Sequence, residues 1–222
     1  MRVNKFIALA SGLSRRAADQ AIASGRATVN QSVPQTGQDV TTEDTVMLDG
    51  KLLKLPEQMQ TIILNKPVGY VCSRNGQGSK TIYDILPDEL HQLKPVGRLD
   101  KDSSGLILLT NDGELANQLT HPRFVKQKIY EITLGKPLQP LHHQMIADQG
   151  IQLNDGLSRF QLTKLDSERS WQVTMHEGRN RQIRRTFEAL GYKVATLHRT
   201  VFGPYRLNDL ALGQYENIDS DR

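Results

Sequence analysis

The feature that most constrains the fold is a run of four large apolar residues, Leu106 to Leu109, near the middle of the chain. A short apolar run bounded by turn residues is typical of a strand buried inside a domain. An Asn-Asp-Gly turn closes the run at residues 111–113, and a polar loop with Asp100 and Asp102 precedes it. The sequence therefore predicts a buried strand that holds a loop with two carboxylates, so that the loop is rigid and still accessible.

The segments around this strand do not alternate regularly between strand and helix. Hairpins and long excursions outnumber strand-helix-strand units, so the sequence predicts an α+β domain with a mixed, largely antiparallel sheet flanked by helices. Strands are predicted at 61–65, 69–73, 106–110, 128–134, 160–165, 171–175 and 194–201. Helices are predicted at 81–86, 114–120, 141–148 and 180–190.

The beginning of the chain has a different pattern and is predicted to form a small unit of its own. Apolar residues at helical spacing predict a first helix that ends at Gly12, and Ser14 can cap a second helix that ends at Gly25. A strand follows, and Asp49-Gly50 is a two-residue hairpin signal between two short apolar runs. We expect domains at 1–54 and 61–218, a linker at 55–60 and a disordered tail at 219–222.

Charge and cysteine content favour a cytoplasmic protein with an acidic partner. Lys and Arg exceed Asp and Glu by 28 to 24, and the sequence pI is near 9.2, which is mild evidence for nucleic acid. The single cysteine, Cys72, excludes an internal disulfide and a cysteine-rich zinc site. No apolar stretch approaches the roughly 20 residues that a membrane-spanning helix needs, so we expect no membrane association.

The run RVNKFIALASGLSRRAADQAIASGRATVNQ, followed later by VMLDGK, resembles the αL-type RNA-binding domain. In that family the second helix and the adjoining strand present basic residues to structured RNA. The resemblance therefore implies RNA contacts for four residues: Lys5, Arg15, Arg16 and Arg26. Such domains occur on unrelated RNA enzymes, so the resemblance indicates a class of partner and not a reaction. On composition alone, a solvated basic face explains the same charges equally well.

The loop and the buried strand, GRLDKDSSGLILLTNDG at 97–113, resemble the signature of the RsuA-like pseudouridine synthases, which act on ribosomal RNA. In that family the Asp directly after Arg-Leu is the essential catalytic residue, which implies this role for Asp100. The resemblance also implies that Arg98 lies against the RNA where the target nucleotide leaves the stack. Without the resemblance, the commoner interpretation is that one Asp caps a turn while the other is solvated.

A later strand agrees with this resemblance. KQKIYEI at 126–132 matches the family's Lys-x-Tyr strand, which implies that Lys128 contacts RNA and that Tyr130 lies in the active site. A tyrosine in an alternating strand is otherwise most often part of a half-buried core.

Two more segments complete the resemblance. EGRNRQIRRTFEALG at 177–191 is similar to the family's third motif, in which the Arg after Gln-Ile, here Arg184, pairs with the catalytic Asp. LHRTVFGP at 197–204 is similar to the closing strand, whose Leu, here Leu197, packs near the flipped base. The other arginines of the third motif are expected to contact RNA: Arg179, Arg181 and Arg185. Without the resemblance, that cluster is equally compatible with a basic surface stripe.

The implied reaction explains why these residue types are needed. Conversion of uridine to pseudouridine breaks the C1′–N1 bond and joins C1′ to C5 with no net addition, so no cofactor is expected. The carboxylate must be ionised to attack the ribose or to stabilise charge on it, and Arg184 would favour the charged form. The covalent and elimination pathways both remain open. Because the target atoms are inaccessible in a helix, the nucleotide must be everted, with Tyr130 offering an aromatic face and Arg98 filling the gap.

Other sites are not indicated. The six histidines lack the spaced partners of a metal site, so no metal is expected. The glycines around Asn75 to Gly78 are too few for a phosphate-binding loop, which disfavours nucleotide hydrolysis.

The expected partner is ribosomal RNA or a ribosome-assembly intermediate, and the wider group adds transfer RNA as a further substrate class. Similarity in the LNKPVGYVCSR segment favours large-subunit RNA. We expect a monomer. Two alternative functions remain at this point: a non-enzymatic ribosome-assembly factor with the same basic surfaces, and a glycoside hydrolase that uses Asp100 and Asp102 as an acid and base pair.

Overall fold

The computed structural model describes residues 1–56, 58–121 and 123–218, so the tail predicted at 219–222 lies outside the described residues. The chain divides into two compact units, residues 1–60 and residues 61 onward. None of the described helices combines the length and the apolar character that crossing a membrane requires.

The first unit packs two helices and a small antiparallel sheet around one apolar core. Its helix α2 starts after Ser14, whose side chain accepts a hydrogen bond from the Ala17 amide at 3.0 Å, as predicted. Asp49 and Gly50 both have positive φ, which is the backbone of the predicted two-residue hairpin turn. The elements are α1 (Val3–Ser11), α2 (Arg15–Ala23), β1 (Ala27–Val29), β2 (Val46–Leu48) and β3 (Lys51–Leu52).

The second unit contains the remaining elements. Its strands are β4 (Thr61–Lys66), β5 (Lys94–Val96), β6 (Ser104–Thr110), β7 (Lys128–Leu134), β8 (Ile151–Leu153), β9 (Gly156–Ser158), β10 (Gln161–Lys164), β11 (Ser170–Met175), β12 (Val194–Phe202), β13 (Tyr205–Arg206) and β14 (Tyr215–Ile218). Its α-helices are α3 (Gly113–Thr120), α4 (Pro140–Gln144) and α5 (Gln182–Ala189). Two 3₁₀ turns, Ile82–Ile85 and Asp88–Leu90, and one π-helical turn, Met145–Gln149, complete the list.

The main sheet has the order β10-β11-β7-β12-β6-β4-β14, with β13 added to β12 and β5 added to β6. Its described strand pairs are antiparallel except β6 with β12, so the expected mixed, largely antiparallel sheet is confirmed. The apolar run in β6 is fully buried. Ile107 and Leu109 join the core on one face of the sheet, and Leu106 and Leu108 join the core on the other. This double burial explains why the run has no polar residue.

The strand predicted at 69–73 is wrong. Its backbone makes only an isolated bridge between Val71 and Thr81 and pairs with no strand of the sheet. The Gly69 amide donates to the Lys101 carbonyl at 2.8 Å. The segment therefore supports the Asp100 loop, which we define as residues 97–103, and does not extend the sheet.

Gly105 sets the distance between β6 and β12. Its φ is +107°, and a Cβ at this position would lie 2.3 Å from the Arg199 carbonyl oxygen. Only glycine therefore allows the backbone of β6 to pair with β12 in the register that places Gly105 opposite Arg199. This close approach brings β12 beside the start of β6, where the Asp100 loop ends.

Candidate active site

The Asp100 loop connects β5 to β6, and its backbone is held by hydrogen bonds from Cys72 and within the loop. The Sγ of Cys72 exchanges two hydrogen bonds with the backbone of Leu99, at 3.3 and 3.4 Å. The Ser103 amide donates to the Asp100 carbonyl, which closes a turn within the loop. Because neighbouring backbone groups are fixed, the Asp100 carboxylate is positioned by main-chain contacts while its side chain stays 33% exposed.

A cleft of about 960 Å³ opens beside this loop. Asp100 from the loop, Tyr130 from β7 and Leu197 from β12 all line it. Tyr130 is 7% exposed, and Leu197 lies across the ladder from Ile132 on the same pair of strands. The structure therefore brings Asp100, Tyr130 and Leu197 together in one pocket, although they are far apart in the sequence.

The positive charge nearest Asp100 belongs to Arg181. Its Nη1 lies 3.7 Å from Oδ2 of Asp100 and 3.4 Å from Oδ2 of Asp102. Arg181 has a φ of +46° at the residue before α5. The segment before α5 therefore carries this guanidinium to the loop.

Arg184 does not make the ion pair with Asp100 that the family resemblance implies. Its Nη2 donates to the Asp102 carbonyl at 2.7 Å and its Nη1 donates to the Val194 carbonyl at 2.8 Å. Burial and the neighbouring charge of Arg181 lower the pKa of Arg184, while Asp102 and Asp100 oppose this shift. Arg184 therefore ties the Asp100 loop to the start of β12, because both of its Nη groups donate to backbone carbonyls of these segments.

Two other arginines of this segment bind Asp155, which follows β8. Arg179 donates to Oδ1 of Asp155 at 3.0 Å and to the Leu157 carbonyl at 2.8 Å. Arg185 donates to Oδ2 of Asp155 at 2.7 Å. These bonds lower the pKa of the Asp155 carboxyl, with the hydrogen bond from Arg185 as the largest cause. Both guanidiniums, which the sequence assigned to RNA, thus bind groups of the protein itself.

Besides Arg179 and Arg181, two basic side chains that the resemblance assigned to RNA line the cleft. Arg98 is exposed and lies two residues before Asp100 in the loop. Lys128 starts β7, and its Nζ lies 3.3 Å from the Glu177 carbonyl oxygen. Burial lowers the pKa of Lys128, and the charge of Arg199 adds to the effect.

Sequence reasoning missed two buried cations near the loop. Lys66, at the end of β4, is fully buried and donates to the Pro67 carbonyl at 2.8 Å. Burial lowers its pKa, whereas Cys72, Asp100 and Asp102 raise it, so these groups lie within electrostatic range. Arg199 in β12 lines the cleft and is 2% exposed. A Lys or Arg inside an apolar strand is the signal that could have identified both, because such residues are rarely buried without a partner.

In the first unit, the four predicted RNA contacts are not equivalent. Arg26 donates from Nε to Oδ1 of Asp49 at 2.7 Å, which lowers the pKa of that carboxyl. Arg15 donates to the Asn4 side chain at 3.3 Å. Arg16 is exposed and Lys5 is half-buried on the same helix pair.

Within the described ranges, with their gaps at 57, 122 and 219–222, no three His, Cys, Asp or Glu side chains come together in a way that could hold a metal ion.

Comparison with known proteins gives one consistent result. The family model for RNA pseudouridylate synthase matches residues 60–189. An uncharacterized RNA pseudouridine synthase of Aquifex aeolicus is 38% identical, over 99% of this chain and 90% of that one. The ribosomal small subunit pseudouridine synthase A of Pasteurella multocida is 36% identical, over 100% of this chain and 97% of that protein. The ribosomal large subunit pseudouridine synthase B of Bacillus subtilis is also 36% identical, over 98% of this chain and 91% of that protein.

A solved structure of a pseudouridylate synthase is similar over nearly the whole length. The two structures superpose over 98% of this chain and 96% of the synthase chain, with 35% sequence identity and a TM-score of 0.70. The α+β architecture of this chain is therefore one that a pseudouridylate synthase adopts.

Proposed function

The chain belongs to the RNA pseudouridylate synthase family, and from this premise we propose that it isomerises one specific uridine of ribosomal RNA, with Asp100 as the catalytic carboxylate. The names of its relatives support ribosomal RNA as the substrate and include both subunits. Within that class, the sequence favours large-subunit RNA. The protein acts as a monomer and needs no cofactor.

The observation that carries this proposal is the meeting of Asp100 and Tyr130 in one cleft. A volume of about 960 Å³ is at the upper end of ordinary ligand pockets and suits a nucleotide with part of its backbone. The Asp100 loop is held by main-chain contacts, and a fixed carboxylate can meet the C1′ atom of a bound nucleotide without reorganising. Arg181 adds a positive charge 3.7 Å from that carboxylate.

The residues of the candidate site then have defined roles in the reaction. Asp100 attacks the ribose at C1′ or stabilises the positive charge that develops there. Tyr130 and Leu197 hold the everted base, and the Tyr130 hydroxyl assists removal of the C5 proton. Arg98, exposed at the mouth of the cleft, fills the place that the nucleotide leaves in the RNA. Arg184 holds the loop through the Asp102 carbonyl.

The remaining basic residues bind phosphates without regard to sequence. Lys128 and Arg181 do this beside the cleft, with smaller contributions from the Arg179 and Arg185 guanidiniums because Asp155 neutralises part of their charge. Lys5, Arg15, Arg16 and Arg26 do so on the first unit, which we propose to be an αL-type RNA-binding domain. The shape of the RNA selects the site.

The test compares two neighbouring aspartates. Unmodified small-subunit, large-subunit and transfer RNA are each incubated with the protein, and pseudouridine is mapped at nucleotide resolution. Wild type should form pseudouridine at one position of large-subunit RNA, and Asp100→Asn should abolish it. Asp102→Asn is the matched control, because Asp102 touches the same Arg181 but is more exposed and is not among the residues that line the cleft.

Four results would count against the proposal. Equal losses for the two variants would contradict the assignment of Asp100. Modification of small-subunit RNA alone would contradict the preferred subunit. Binding of ribosomal RNA by wild type without any pseudouridine would indicate an assembly factor, and release of free uracil or sugar would indicate a hydrolase.

A further inference from the structure

Arg199 is the most deeply buried arginine of the cleft, and part of its guanidinium has no partner. The residue is 2% exposed, and its Nε donates to the Leu106 carbonyl at 2.8 Å. Its Nη2 is buried and finds no hydrogen-bond acceptor among the described residues. A buried N–H of a charged group without an acceptor is costly. Arg179, Arg184 and Arg185 also leave a buried Nε unpaired, but each donates from an Nη group to the protein, whereas among the described residues Arg199 donates from Nε alone and its terminal Nη2 stays unpaired.

The surroundings fix the direction of this guanidinium. Its Cζ lies 4.9 Å from the centre of the Phe202 ring, and Nζ of Lys128 lies 5.6 Å from the same ring. Arg199 is the cross-strand neighbour of Tyr130, and Leu197 is two residues earlier on the same face of β12. Arg199 therefore shares a wall of the cleft with the two residues that hold the everted base in the proposed function.

Resting on that proposed function, we infer that Arg199 donates a hydrogen bond from Nη2 to a carbonyl oxygen of the everted uracil. The depth of Arg199 in the cleft favours a contact with the base over a contact with the phosphates. The RNA backbone continues on both sides of the target and must stay near the mouth of the cleft, so the base is the part that reaches a side chain only 2% exposed. A flipped base is commonly read by hydrogen bonds to its pairing edge, where uracil offers its carbonyl oxygens as acceptors.

The same contact would act during the reaction. When the C1′–N1 bond breaks, its electron pair stays on the uracil and is shared with the carbonyl oxygens. That pair later forms the C1′–C5 bond. C5 then gives up its proton and N1 takes one up, so the product is an isomer of the substrate. A fixed N–H on a carbonyl oxygen therefore binds the detached base more strongly than the starting nucleotide, which lowers the barrier.

The first test removes the base and keeps the phosphates. The probe is a ribosomal RNA fragment that contains the mapped uridine, and its partner probe has an abasic ribose at that position. Both are bound to the full chain in an Asp100→Asn background, so that no uridine is converted. Arg199→Met should weaken binding of the uridine probe by about 10- to 100-fold, the range for a hydrogen bond to a charged group, and should change binding of the abasic probe little. Arg206→Met, an exposed arginine on β13, should affect both probes equally.

The second test does not depend on how well a buried variant folds. The target uridine is replaced by ribonucleosides of 2-pyrimidinone, which lacks O4, or 4-pyrimidinone, which lacks O2. One replacement should weaken binding when Arg199 is present and have little effect with Arg199→Met. Undiminished binding of both analogues would overturn the inference, as would an equal loss on the uridine and abasic probes, which would indicate a phosphate contact. A wild-type chain that forms no pseudouridine would instead overturn the proposed function, and the Arg199 contact with it.

Discussion

Arg179, before α5, and Arg199, in β12, line the same cleft, but they differ in what their guanidiniums bind. Both Nη groups of Arg179 donate to acceptors of the protein, on Asp155 and the Leu157 carbonyl, so the residue joins the segment before α5 to the β8–β9 hairpin. Arg199 makes one hydrogen bond to Leu106 and keeps a buried Nη2 without an acceptor. The comparison teaches that an arginine-rich motif does not by itself identify the arginines that contact a substrate. The acceptors already present inside the protein decide this.

The largest expected effect tests what places Arg199. Gly105→Ala should destabilise the protein by about 2 to 5 kcal/mol, because alanine is strained at a φ of +107° and its Cβ would collide with the Arg199 backbone. The change does not alter Asp155 or its partners Arg179 and Arg185. Chemical denaturation measures the loss, with Gly113→Ala as the control, because a Cβ at Gly113 meets nothing within 4 Å. Similar stability of the two variants would show that β6 and β12 do not depend on this close approach.

The next prediction compares two arginines near the start of α5, Arg181 and Arg185, by the effect of their loss on the reaction rate. Arg181→Met should lower the single-turnover rate by about 10- to 100-fold, because the charge beside Asp100 is lost. Arg185→Met should leave the rate nearly unchanged and cause only a small loss of stability, because it breaks a partly exposed pair with Asp155. Rates are compared at saturating RNA, and unfolding is followed for both. A larger rate loss for Arg185→Met would reverse the comparison.

Six strands of the second unit, β4, β6, β7, β10, β11 and β12, and the site loop could be predicted because their signals are local, whereas β5, β8, β9, β13 and β14 were not predicted. Four consecutive large apolar residues require burial on both faces, and β6 has it. β7 was predicted with its observed limits, Lys128–Leu134, because its residues alternate. The segment at 69–73 also looked like a strand, but its backbone bonds the turn at 80–82 through Val71 and the Asp100 loop, some thirty residues further on, through Gly69. No local pattern reveals a partner at that distance.

Within the candidate site, residue types were predictable and individual contacts were not. Asp100 and Tyr130 share a cleft as the resemblance implied. The identity of the nearest guanidinium depends on a left-handed backbone at Arg181, which the sequence does not signal for an arginine. Lys66 and Arg199 are charged, so a propensity-based reading places them in solvent, whereas tertiary packing buries both.

The smallest expected effect carries the comparison of paired and unpaired arginines to the first unit. Arg26 is bound by Asp49, whereas the exposed Arg16 has no described ion pair. Each phosphate contact that a free cation makes changes the slope of log K against log salt by about 0.7 to 0.9. Arg16→Ala should therefore reduce the slope for ribosomal RNA by about that amount, and Arg26→Ala should reduce it less because its charge is partly neutralised. RNA binding over a series of KCl concentrations measures both slopes, and equal reductions would mean that Arg26 exchanges Asp49 for a phosphate when RNA binds.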